Sequence, residues 1–228
     1  SDAFITKYET NSNSIISKLS TAQISALSTS VIAAISIQDI AGISTAQFSA
    51  LSSTQLRVLS TAQVVAMSSS QAGSLTSIQV SSLTTSQIAS METADLASIK
   101  TSAIRALSTS QVAALTTAQI AGLSSTQVAA LASVQLAALT TAQMVSLETV
   151  DFAAITASQI TSLTTGQMAV LSTAQIVALT TAQTSALKTS QLAVLSTKQL
   201  TALETADLAS LKTTQIAALS TSQMSSLT

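Results

Sequence analysis

The sequence predicts an all-α solenoid, a superhelical rod of short capped helices with one helix in every eight residues. Three observations lead there. Large apolar residues recur with an unbroken period of eight. Each unit is made of helix formers with a helix-start signature. The corner residues that a β-solenoid needs are almost absent, with 4 Gly and no Pro in 228 residues. A β-solenoid remains the alternative, because scarcity of corner residues demotes it without excluding it.

Residues 1–18, SDAFITKYETNSNSIISK, fall outside the octads and hold the only Tyr, Tyr8, and the only Asn residues, Asn11 and Asn13. They read as a leader: either a polar cap over the first open repeat, which solenoids need for solubility, or a tail that docks on another subunit.

From Leu19 to Leu227 every eighth position is Leu, Ile or Met, 27 positions without insertion or deletion. A second column, five residues after each, runs from Ile24 to Met224, and only Ala72 and Thr184 depart from large apolar residues. A typical unit is Leu115-Thr116-Thr117-Ala118-Gln119-Ile120-Ala121-Gly122. In one continuous α-helix, eight residues turn through about 800°, so the stripe would spiral around the whole surface and bury nothing. Alternation fails too, because the spacing of five then three switches parity within each unit. A short helix broken once per octad remains, and Ala, Leu, Gln and Met favour it.

The break is itself encoded. In Leu-[Ser/Thr]-x-x-Gln-[Ile/Val] the hydroxyl accepts from an amide three residues on while Gln reaches back to the N–H of the capping residue, and the flanking apolar pair occupies the positions of a hydrophobic staple. Gln fills its column in 20 of 26 octads and Asp in four, at 39, 95, 151 and 207; Val31 and Ala103 depart. The first hydroxyl column holds Ser or Thr in 19 of 26 octads and the second, exemplified by Thr117, in 24, which leaves the cap at either of two adjacent residues. Each helix is far below the roughly 12 to 15 residues needed to stand alone, so neighbouring turns must stabilise it. Both apolar columns are expected to face a common interior, Phe48, Phe152 and the Met residues to pack there, and small pairs such as Ala113-Ala114 and Ala137-Ala138 to let turns approach closely. The expected result is a continuous backbone of right-handed mini-helices, bent at every cap and wound into a narrow rod.

A slower period overlies the octad. Glu92/Asp95, Glu148/Asp151 and Glu204/Asp207 lie 56 residues apart, seven octads, and Asp39 extends the series backwards. Lys100 and Lys212 follow Glu92 and Glu204 by one octad and would form opposite-charge rungs if successive units lay side by side. Two carboxylates per cluster suggest acid–base chemistry or a cation site; against this stands simple duplication, with exposed acids placed near helix N-termini.

Composition removes most chemistries. Without Cys, His or Trp there is no thiol nucleophile, imidazole base or Cys/His zinc site, so no catalytic, cofactor-binding or metal-binding residue is assigned and an enzyme is not expected. Eight basic against nine acidic residues leave no stripe for a phosphate backbone, so nucleic acid is not an expected partner. The longest apolar runs, Val31 to Ile35 and Val128 to Ala132, are five residues, too short for a membrane span despite a mean hydropathy of +0.54.

The octads resemble tandem stretches of large bacterial surface and adhesin-like proteins, in which units like Leu139-Thr140-Thr141-Ala142-Gln143 recur. The resemblance covers residues 19–228 and implies a structural role at the cell surface or outside the cell, without transferring a binding residue. The unit is also similar to the helix start of TAL-effector DNA-binding repeats, but the base-reading loops and basic charge are missing, which leaves shared capping chemistry. The expected function is a structural subunit of a surface filament, sheath or adhesin stalk that self-associates head to tail, because a leader at one end and an in-phase octad at the other give ends of unlike chemistry. The alternative is a module that binds ice or carbohydrate through arrays of Thr117-like and Gln119-like side chains, with glycan contact at a cell surface.

Overall fold

In the computed structural model, which describes residues 15–227, each octad bends once and coils once. Twenty-six α-helices of 4 to 6 residues follow one another from Thr21–Ser25 to Thr221–Ser226, one per octad, with no strand among the described residues. The short 3-10 helix Ile16–Lys18 precedes them. Tyr8, Asn11 and Asn13 of the expected leader lie outside the described residues.

The corner between helices needs no special residue. At the helix Ser133–Ala138, for example, the preceding Leu131 (φ −60°, ψ 135°) and the capping Ala132 (φ −70°, ψ 155°) are two consecutive extended residues between two helical stretches. Any L-residue adopts those angles, and no described non-Gly or Gly residue has a positive φ. The scarcity of Gly and Pro follows from this geometry: the chain turns through extended residues, and its amides remain available for bonding.

The cap position is settled at the first hydroxyl column. Thr116 Oγ1 accepts from the Gln119 amide at 3.1 Å while Gln119 Oε1 accepts from the Thr116 amide at 2.8 Å. Thr117 is therefore the first helical residue. Where the column lacks a hydroxyl, half of the arrangement survives: the amides of Ala132, Lys188 and Lys212 still donate to Gln135, Gln191 and Gln215 at 2.6, 2.8 and 2.7 Å.

Both apolar columns face inward, as expected. Leu115, Leu139 and Leu187 in one, and Ile120, Leu136 and Leu192 in the other, are buried, as are Phe48, Phe152, Met144 and Met168. The Ala pairs sit at the rim, with Ala113 exposed and Ala114, Ala137 and Ala138 half-buried. A close backbone approach lies elsewhere. Where Ala72 interrupts the large apolar column, a Cβ on the adjoining Gly73 would stand 2.9 Å from the Ser98 carbonyl oxygen, so only glycine lets these two helices meet.

The chain divides into two compact units, the first ending at Leu107 and the second beginning at Ser108. Within each, a helix packs against the third helix before it and the third after it, as Ser69–Ser74 does against Thr45–Ser49 and Thr93–Ser98, and Ser133–Ala138 against Thr109–Ala114 and Ala157–Ile160. Side-chain bonds between neighbouring turns join residues 25 to 31 apart, so one turn of the coil takes between three and four octads. That spacing corrects the expected charge rungs. Glu92 and Lys100 are eight residues apart and follow one another around the turn, so they are not stacked across it.

Candidate functional site

The recurring site is the seam between turns, and Gln builds it. Gln143 lies at the third position of its helix, where its carbonyl end caps its own turn: Oε1 accepts from the Thr140 amide at 2.7 Å. Its amide end crosses to the preceding turn, where Nε2 donates to the carbonyls of Val112 at 3.0 Å and Leu115 at 2.6 Å, 31 and 28 residues earlier. Both carbonyls lie at the end of the helix one turn back: that of Val112 also accepts from the Leu115 amide at 3.2 Å, and that of Leu115 lies just past the last helical residue, where carbonyls lack intrahelical donors. One side chain thus satisfies a helix start and a helix end on adjacent turns.

The same pair of acceptors is reached by Gln55 on Ile24 and Leu27, by Gln87 on Leu56 and Leu59, by Gln167 on Leu136 and Leu139, and by Gln223 on Leu192 and Leu195. Gln183 reaches Ile155 in the same way. The ladder buries its amides: Gln71 is 1% exposed. Sequence reading found the capping half and missed the crossing half, because a single octad carries no sign of which residue lies one turn away. The signal available was the column itself: capping alone accepts Glu as readily as Gln, whereas a demand for both acceptor and donor selects Gln.

This burial corrects the lattice alternative in its Gln component. Gln119-like side chains are consumed within the seam and cannot present an array to ice or carbohydrate, whereas Thr116 and Thr117 remain exposed.

The acidic clusters are divided by the seam. Glu92, Glu148 and Glu204 occupy capping positions, are exposed, and make no capping bond. Asp95, Asp151 and Asp207 stand in the Gln column and are buried, which overturns the expectation of exposed acids; the cause is that this column faces the preceding turn. Ser69 Oγ donates to Asp95 Oδ1 at 2.7 Å and Ser125 Oγ to Asp151 Oδ1 at 2.6 Å, so the 56-residue period extends to the partner. Burial pushes the Asp95 carboxyl above its ordinary range, opposed by the Ser69 hydroxyl and reinforced by the nearby Glu92 charge. Asp39, half-buried, has its amide bonded to Ser36 Oγ at 3.1 Å. Among the described residues no three acidic, His or Cys side chains gather where a metal ion would need them, and no helix is long and apolar enough to cross a membrane.

Fold and seam together define a repeat protein of solenoid type, in which one side chain per unit stitches each turn to the last. The family model for the ALTTAQ repeat matches residues 32–77, 49–85, 88–125, 144–181 and 200–228, more than half of the chain, and the chain belongs to that repeat family. No curated protein matches it.

Proposed function

We propose that the protein is a structural element, a segment of a filament, sheath or adhesin stalk at a bacterial cell surface that extends by head-to-tail stacking. The carrying observation is the direction of the glutamine ladder. From Gln47 to Gln87 and from Gln143 to Gln223, each Gln Nε2 donates to the preceding turn, so one face of a turn is a row of donors and the other a row of carbonyl acceptors. Two such faces fit only head to tail, which is the heterologous contact that generates open assemblies.

Both kinds of face are visible in the first and last described turns. Gln23 is exposed, and its Oε1 accepts from the Ser20 amide at 2.9 Å. Ile216 and Met224, members of a column buried elsewhere, are 41% and 40% exposed. The surface is rich in Ser and Thr hydroxyls and small side chains, with scattered exposed apolar residues such as Ile78, Val134 and Val150, around a buried interior, which suits a spacer whose product is length. Placement outside the cell rests on the resemblance to bacterial surface proteins.

The test is assembly. Purified chain, concentrated stepwise and followed by size-exclusion chromatography and negative-stain electron microscopy, is expected to form fibres of uniform width. Persistent monomer without fibres at high concentration removes the head-to-tail form of the reading. Surface biotinylation of intact source cells tests the location separately.

A further inference from the structure

We propose that Asp95 is an acid-responsive rung of the stack: it serves as a neutral carboxylic acid between packed turns, and its ionisation loosens the seam that it joins. This stands apart from filament formation and applies equally to a single chain.

An amide brings one acceptor oxygen and one N–H donor group, and the ladder uses both. A carboxylate brings acceptors only. At residue 95 the preceding turn has answered half of that change: Ser69 donates its hydroxyl proton to Oδ1. The other half is unanswered. Asp95 Oδ2 is buried without a partner in a residue 2% exposed, and Asp207 Oδ2 is in the same condition, also in a residue 2% exposed. The carbonyl of Met67, 28 residues before Asp95, corresponds to those that receive a Gln Nε2 elsewhere and here has no such donor. A proton on the carboxyl restores the complement of an amide, one O–H donor beside one acceptor.

No positive charge competes for the role. The helix Ser69–Ser74 packed against Asp95 carries no ionisable side chain, and the charged neighbour on its own turn is the acid Glu92. Burial with a like-charged neighbour favours the neutral form, and the upward displacement at Asp95 agrees. A carboxyl raised in the folded state binds more protons there than in the unfolded chain. Its contribution is therefore fully present below the ordinary Asp range, near pH 4, and is lost as pH rises through the folded value.

Thermal unfolding of the full chain, followed by far-ultraviolet circular dichroism from pH 3 to 8, reads this directly. The expected Tm falls as pH rises, by about 2 to 4 °C, and the variant Asp95→Asn loses that slope. The exposed acids are common to both proteins and cancel. A flat or rising Tm in the parent, or an unchanged slope in the variant, overturns the proposal. Should the variant fail to fold, carbon-13 carboxyl titration of labelled parent protein decides: a midpoint for Asp95 above the ordinary range is expected, and one at or below it overturns the proposal.

Discussion

At the scale of single residues, the protein depends on an amide that works at both ends. Gln143 bonds a helix start through Oε1 and a helix end one turn away through Nε2. Replacing it by Leu nearly preserves its size and leaves the Thr140 amide and the Leu115 carbonyl without those partners in a seam that excludes water. Each unpaired buried group costs about 1 to 3 kcal/mol, so Gln143→Leu is expected to lose roughly 2 to 5 kcal/mol in urea unfolding. The loss should appear although the substitution adds apolar surface. A variant as stable as the parent would mean that burial in the seam outweighs its bonds. The natural departures show what the column tolerates: Ala103 gives up both bonds, and the three buried Asp residues exchange them for a serine hydroxyl or an unpaired oxygen.

At the scale of one octad, caps and apolar columns contribute unequally. Thr140 donates its amide to Gln143 and accepts from the Gln143 amide at 3.2 Å, yet its side chain is exposed, and the helix after Ala132 forms without any hydroxyl. Leu139, one residue earlier, is 4% exposed within the interior. Thr140→Ala is therefore expected to cost about 0.5 to 2 kcal/mol and Leu139→Ala about 2 to 5, an order that paired urea titrations will check. This part of the fold was legible in the sequence, because staple, cap and Gln lie within six consecutive residues and interact locally. What could not be read was the join between turns. The Gly73 approach to Ser98 and the Ser69 bond to Asp95 link residues 25 and 26 apart, and nothing within an octad says whether three or four units complete a turn. The expected Glu92–Lys100 rung failed for that reason: it assumed that successive octads stack, whereas stacking skips to the third helix.

At the scale of the chain, what must be kept is the register of eight. Consider the second unit. Gln167, Gln175 and Gln183 reach back to Leu139, Leu147 and Ile155, each 28 residues earlier. Deleting the whole octad 155–162 shifts each of these three to the carbonyl one octad further back, at Leu131, Leu139 and Leu147, which occupy the same column and offer the same geometry. Helical content per residue and cooperative unfolding should survive, with a modest fall in Tm for the lost burial. Deleting only residues 156–159 removes fewer atoms but places the same three Gln residues opposite the wrong column, half an octad out of phase. Three rungs then lose their acceptors at about 1 to 3 kcal/mol per unpaired group, a sum comparable with the whole stability of an ordinary domain, about 5 to 15 kcal/mol. The smaller deletion is therefore expected to unfold more of the second unit than the larger one. Circular dichroism and urea unfolding of the two variants side by side test this, and equal damage from both would show that burial alone, without the Gln ladder, sets the phase of the turns.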